Sequence, residues 1–561
     1  MRVAALALVL ISLPQAATAK PALPVPEPGF SDVRIPMRDG KWLAADVLLP
    51  PGDGPFPTIF IHTPYSRRSA AAPMPGSPFE RELLSRERYA YVITDWRGFF
   101  GSTEAAQGVK KLRHGQDGHD AIEWIAAQPW SNGKIGMWGH SAPGTVEYHV
   151  AAEQPAHLIC MVAGSANIGS PYEQFYTGGA LHRHYLQVLE GVGHMRYNPI
   201  DLVLRFPFKN RLWQIAHRKT SRAKIDLPIL FITGWYDHHV DLKLSTFNEL
   251  RTPEKRHAGD MKLLIGPWHH TAFGKREQGI LEYPEAEGVT SQETLRFFDY
   301  HLRGEDGNGW SEEPAVRYLQ MGANTWEASD RWPVDTAEQA YYLRADGALA
   351  ADPAAEEPPD PFVFDPAHPV PTVGGTTVEM SHASSEALRA ISLPAGPQDL
   401  REPVEARDDV LRYTTDPLTE DAGVTGTMRA ELYVSSDRAD TDVAVWVTDV
   451  HPDGRSVLVA DGIWCLRFRE SLGRPKFMSP GQVYRVEVPV TATGHTFLAG
   501  HRIRLLISSS NAPKFEVNPN VIWRRRGAAR AEIATNRIHH DAAHPSALIL
   551  PIRRPPIEAL P

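Results

Sequence analysis

The sequence predicts an α/β domain on a mostly parallel sheet, interrupted by a helical insertion and followed by an all-β domain. Three observations carry this. Apolar strand-like runs alternate with helical periodicity from about residue 32 to residue 165. The alternation stops over residues 168–218, which are rich in Tyr, His, Arg and Leu, and then resumes. Beyond about residue 335, short β-type runs separated by Gly, Pro and Asp replace the helices, as in a sandwich or jelly roll.

The amino terminus reads as a targeting segment. Met1-Arg2 is a short positive start, Val3 to Leu13 is almost wholly apolar, and Ala17-Thr18-Ala19 is a small-x-small cleavage pattern. The apolar run is shorter than the roughly 20 residues a membrane helix needs. Residues 1–19 are therefore expected to be a signal peptide. The mature protein is then secreted or periplasmic, with no membrane partner.

The first α/β part is expected over residues 20–167. Its strands are Pro57–His62, Ala90–Asp95, Lys134–Trp138 and Leu158–Ala163. A helix is expected over Asp117–Gln128, where Ile122, Ile125 and Ala126 fall at helical spacing and Asp117 stands as a cap. The insertion over 168–218, with Leu181, Tyr185 and Leu189 at helical spacing, would be a cap at one end of the sheet. The second α/β part, residues 219–335, brings strands at Ile229–Thr233 and Lys262–Ile265. Thr290-Ser291-Gln292-Glu293 fits a capping box, with Leu295, Phe298 and Leu302 on one face and Gly304 ending the helix. Residues 336–561 are expected to form the jelly-roll sandwich. Its strand candidates are Ala430–Ser435, Asp442–Thr448, Val483–Val488 and Ile503–Ser508, and the Pro-rich stretch 353–371 reads as a linker or long loop.

Composition narrows the function. The 561 residues are 42% hydrophobic and 22% charged, so the chain is globular. Lys+Arg 58 against Asp+Glu 67 gives a net charge of −9, without the positive field that draws nucleic acid. The two cysteines, Cys160 and Cys465, form no disulfide framework and read as small buried hydrophobes. His182-Arg183-His184, His238-His239 and His539-His540 lack the His-Glu-x-x-His spacing of a zinc hydrolase, so no catalytic metal is expected.

The chemistry-bearing residues follow strands. Gly136 to Gly144 runs from an apolar strand through Gly139-His140-Ser141-Ala142-Pro143-Gly144 into a helix. A serine on such a tight turn is exposed at the carboxyl end of the sheet and needs small neighbours. Pro143 replaces the usual second glycine, which a first helical turn tolerates. Asp237 follows the strand Ile229–Thr233, well placed to orient a histidine, and His269-His270 follow the next strand. The chain order Ser, Asp, His, each just past a strand, is that of α/β-hydrolases.

Further motifs give the chain a resemblance. They are Pro36-Met37-Arg38-Asp39-Gly40, Thr63-Pro64-Tyr65, Asp95-Trp96-Arg97-Gly98, Gln128-Pro129-Trp130, Gly234-Trp235-Tyr236-Asp237 and Gly266-Pro267-Trp268. Towards the carboxyl end, Pro371-Thr372-Val373-Gly374-Gly375, Asp440-Thr441-Asp442 and Gly500-His501-Arg502 join them. Over nearly the whole mature chain the sequence resembles the cocaine esterase / X-prolyl dipeptidyl peptidase-like (CocE/NonD) serine hydrolases, which include α-amino acid ester hydrolases and glutaryl cephalosporin acylases. The resemblance implies an α/β-hydrolase domain with a jelly roll. It further implies Ser141 as nucleophile, His270 rather than His269 as base, Asp237 as its orienting carboxylate, and Tyr65 with the Ala142 N–H as oxyanion donors. No cofactor is implied.

Two departures bear on substrate. α-Amino acid ester hydrolases hold the substrate ammonium with acidic residues two and three places after the catalytic aspartate, where this chain has His239 and Val240. Glu173 in the insertion is the remaining candidate for that role, while His239 and Phe175 are candidates to line an acyl pocket. The expected function is a secreted serine esterase acting on small-molecule esters of small acyl groups. An acylase, amidase or dipeptidyl-peptidase on the same machinery is the alternative, and a non-catalytic ligand-binding protein is the reading from another class. The jelly roll is expected to shape the site's mouth or to form a homo-oligomer contact.

Overall fold

The computed structural model describes residues 30–68, 87–168, 172–193, 200–217, 221–383, 385–522 and 530–553. The expected signal peptide lies outside them. Ten strands form the first sheet: β1 (Phe30–Pro36), β2 (Trp42–Leu48), β3 (Phe56–Thr63), β4 (Ala90–Asp95), β5 (Ser131–His140), β6 (Leu158–Gly164), β7 (Ile229–Tyr236), β8 (Met261–His269), β9 (Val316–Gln320) and β10 (Thr325–Ser329). Their order is β1-β2-β4-β3-β5-β6-β7-β8-β9-β10. Pairing is parallel from β4 to β9 and antiparallel at both edges.

The inner strands are apolar runs rather than alternating ones because helices cover both faces. β4 and β7 are buried throughout. All six strands expected here are present, most of them longer than their apolar runs. β5, β7 and β8 extend to the residues just before the serine, the aspartate and the second histidine.

Helix α1 spans His114–Ala126, three residues earlier than expected, and Asp117 does not cap it. The Arg97 guanidinium takes the Asp117 carboxylate instead, with Nη2 2.6 Å from Oδ1. The predicted capping box also fails. Helix Val289–Phe298 starts after Gly288, whose φ is 71°, and Glu293 pairs with Arg317 at 2.9 Å. Gly304, at φ 75°, ends the following turn as expected.

The insertion is helical, with Arg183–Gly191, Ile200–Arg205 and Arg211–His217, preceded by the hairpin strands Tyr176–Thr177 and Ala180–Leu181. Its Gly178-Gly179 turn lies flat on the jelly roll. A Cβ at Gly178 would stand 2.2 Å from the Ile463 carbonyl oxygen, and one at Gly179 2.2 Å from the Phe468 ring.

The all-β domain packs a nine-stranded sheet against a four-stranded one. Strand Asp442–Val450 is buried on both faces. Val443, Val445 and Val447 fill the sandwich core, while Ala444 and Trp446 face a second cluster that includes Ala180 of the insertion. The Pro-rich stretch is not all loop. Asp360–Phe364 pairs with Ala534–His539, an edge position where Pro361 removes no necessary hydrogen bond. Cys160 and Cys465 are both buried and free.

Candidate active site

The turn carrying Ser141 is built by steric exclusion. Ser141 sits at φ 64° and ψ −123° between β5 and helix α2 (Ala142–Ala151). A side chain rarely holds positive φ unless its surroundings enforce it. Here strand and helix cross so closely that a Cβ at Gly139 would lie 2.4 Å from the Pro143 carbonyl carbon. One at Gly144 would lie 2.7 Å from the Gly139 oxygen. Pro143 falls in the first turn, where no backbone N–H is needed.

Three strand ends bring the predicted residues together. The Ser141 hydroxyl lies 3.0 Å from His270 Nε2, and His270 Nδ1 lies 3.1 Å from Asp237 Oδ1. The His239 backbone N–H donates to the same Oδ1 at 3.0 Å. Asp237 is fully buried, which pushes its carboxyl up. The facing His270 and the His239 N–H outweigh that burial and hold it below the usual carboxylate range. His140 Nε2–H donates to the His270 carbonyl at 2.9 Å and fixes the loop that carries His270. His269 points elsewhere, 3.8 Å from Glu379.

Tyr65 follows β3, and its hydroxyl meets the Ser141 side chain and the Ala142 backbone. Burial of the hydroxyl raises its pKa, and those two hydrogen bonds oppose the rise. Tyr65 as a whole is 37% exposed, while its hydroxyl is turned inward to Ser141 and Ala142.

Residues 39–198 and 193–272 match the X-Pro dipeptidyl-peptidase (S15 family), and residues 308–549 match the X-Pro dipeptidyl-peptidase C-terminal non-catalytic domain. A cocaine esterase from Rhodococcus sp. (strain MB1 Bresler) is 33% identical over 585 residues, covering 93% of this chain and 98% of the relative. The chain belongs to the cocaine esterase / X-prolyl dipeptidyl peptidase-like (CocE/NonD) family of serine hydrolases. As a member of this family it is a serine ester hydrolase of the α/β-hydrolase fold. The fold agrees with an aminopeptidase from a marine sediment Thaumarchaeota archaeon, at TM-score 0.80 and 23% identity over 94% of this chain and 97% of that one. It agrees also with an α-amino acid ester hydrolase, at TM-score 0.77 and 24% identity over 93% of this chain and 96% of that one.

Within this CocE/NonD hydrolase the two pocket candidates meet through a third residue. The Tyr185 ring lies 6.2 Å from Phe175 and 5.7 Å from His239. Tyr185 also lies 4.9 Å from His238, whose ring is 4.3 Å from His270. Burial drives His238 well below its ordinary value and His239 down to about 3, so both are neutral at pH 7. Glu173 does not reach into this group. It is ion-paired with Lys209 at the surface of the insertion.

Three contributors escaped the sequence reading. Ser165, at φ 44° just past β6, donates its hydroxyl to Asp237 Oδ2. Arg67, 2% exposed, pins the Tyr65 loop through Asp46 at 2.9 Å and Asp95 at 2.7 Å. Tyr185 reads in the sequence only as part of a helical face. A small polar residue after an apolar strand was the sole signal for Ser165, and it is too common to single out.

Proposed function

We propose that this hydrolase cleaves carboxylic esters of small, uncharged acyl groups through an acyl-enzyme on Ser141. The observation that carries the proposal is the continuous relay from the Ser141 hydroxyl to His270 Nε2 at 3.0 Å and from His270 Nδ1 to Asp237 at 3.1 Å. His270 takes the Ser141 proton as the serine attacks the ester carbonyl. The oxyanion forms between the Tyr65 hydroxyl and the Ala142 N–H, each such donor lowering the barrier by about 2.7–4 kcal/mol. His270 then protonates the leaving alcohol. Water attacks the acyl-enzyme by the same route, releasing the acid and regenerating the serine.

The acyl group is read as uncharged because a buried ammonium needs a carboxylate partner. The pocket candidates reach the relay as Phe175 against Tyr185, Tyr185 against His238 and His238 against His270, with His238 and His239 both neutral, and Glu173 is ion-paired with Lys209. The cocaine esterase relative supports an ester over an amide. The test is kcat/KM on p-nitrophenyl acetate and butyrate against p-nitrophenyl esters of alanine and phenylglycine. Preference for the neutral esters by tenfold or more is expected. Preference for the α-amino esters would overturn the acyl-group assignment.

A further inference from the structure

The jelly-roll domain holds a second convergence of imidazoles on a carboxylate, away from the triad. Asp449 lies near the end of strand Asp442–Val450, and His451 begins the tight turn that follows it. His501 immediately precedes the antiparallel partner strand Arg502–Ser508. His495 stands on strand Thr493–Phe497, bridged to Met321 of the hydrolase domain.

The distances are those of a donor set. His501 Nδ1 is 2.7 Å from Asp449 Oδ1. His451 Nε2 is 3.8 Å from Asp449 Oδ2, too long for a hydrogen bond, and its ring centroid is 4.5 Å from that of His501. Donor atoms of Asp449, His451 and His501 all lie within 4.8 Å of one another. Around a tetrahedral zinc, with bonds of about 2.0–2.1 Å, neighbouring donors stand about 3.3 Å apart. The 2.7 and 3.8 Å separations run to the two different oxygens of the Asp449 carboxylate, one imidazole at each, and closing a tetrahedral site draws the three donor atoms in from separations of up to 4.8 Å.

His495 supplies the outer support such sites use. Its Nε2–H donates to Asp449 Oδ2 at 3.0 Å and fixes the carboxylate. The Asp449 side chain is only 3% exposed, whereas that of His451 is 20% exposed, so the group opens to solvent on the His451 side. The two ligand types present, imidazole and carboxylate, suit zinc.

We propose that Asp449, His451 and His501 bind a structural divalent zinc ion, with His495 orienting the carboxylate. On binding, the His501 proton passes from Nδ1 to Nε2 by exchange with water, so the imidazole stays neutral and offers its Nδ1 lone pair, and no partner changes oxidation state. Asp449 sits close enough for its charge to reach Tyr236 and Tyr283 of the hydrolase domain. An ion there would tie the jelly-roll turns together behind the strand that leads to Asp237.

The experiment uses the untagged full chain, stripped with a chelator and equilibrated by dialysis with zinc sulfate. Bound metal is read by plasma mass spectrometry and Tm by scanning fluorimetry. About one tight equivalent per chain and a higher Tm are expected. His451→Phe should lose both effects while keeping the metal-free Tm, and His451→Gln is the second variant should the aromatic one fold poorly. His544→Phe, at the more exposed His539, Asp541 and His544 group, should keep the zinc. Absence of tight zinc in the wild type would overturn the proposal. So would zinc that survives in both His451 variants, whether it is lost in His544→Phe or it silences turnover by occupying His270.

Discussion

The Ser165 hydroxyl donates to Asp237 Oδ2, so the buried carboxylate has both oxygens engaged, one by Ser165 and the other by His270 and the His239 N–H. A carboxylate held from both sides cannot rotate away from His270. Ser165→Ala should lower kcat/KM by roughly 10- to 100-fold, the range for losing a hydrogen bond to a charged group. KM should change little, and the acidic limb of the pH profile should move up, because the ionised form of Asp237 loses a donor. Steady-state kinetics across pH checks both effects. An unchanged profile would reduce Ser165 to a packing residue.

Tyr65→Phe removes the proposed oxyanion donor and leaves the ring. The expected loss is about 10²–10³ in kcat with KM near its original value. Ala142→Ser keeps the second proposed donor, a backbone N–H, and should remain within a few-fold of wild type. Arg67→Lys should reduce both stability and kcat, since an ammonium cannot bridge Asp46 and Asp95 as the fork does.

Gly139→Ala places a methyl 2.4 Å from backbone of the next helix. The overlap involves no flexible side chain end, so the strand-to-helix turn must open. Destabilisation of about 3 kcal/mol or more is expected from urea unfolding, together with loss of turnover. A variant of normal stability would show that the turn is looser than described.

The buried imidazoles set an acid limit on stability. Burial pushes His140, His182 and His239 down to about 3 and drives His238 well below its ordinary value. The folded state keeps them neutral, whereas the unfolded chain protonates them near pH 6.5. Unfolding therefore takes up protons below about pH 6.5, and stability falls steadily from there toward pH 3. Asp241 and Asp442, raised to about 6 by burial, oppose this, but the imidazoles outnumber them. Urea midpoints at pH 7 and pH 5 should differ, with the lower value at pH 5. His238→Asn should shrink the difference.

Much of this site was legible because its parts obey local rules. A serine, an aspartate and a histidine each just past an apolar strand must gather at the carboxyl end of a parallel sheet, whatever loops intervene. The parts that were not legible depend on partners distant in sequence. Asp117 reads locally as a helix cap, but Arg97 claims it, and Glu293 is claimed by Arg317 before it can close a capping box. Glu173 is a free carboxylate in the sequence and an ion pair with Lys209 in the fold. Ser165 carries no pattern at all. Its role exists only because β6 and β7 are neighbours.

The central claim is that Ser141 is an activated nucleophile. Intact-mass analysis of the protein treated with a fluorophosphonate, beside Ser141→Ala, tests it most directly. One adduct per chain, absent in the variant, is the predicted result. A folded wild-type protein that takes no label, or a Ser141→Ala variant that labels equally, would contradict it.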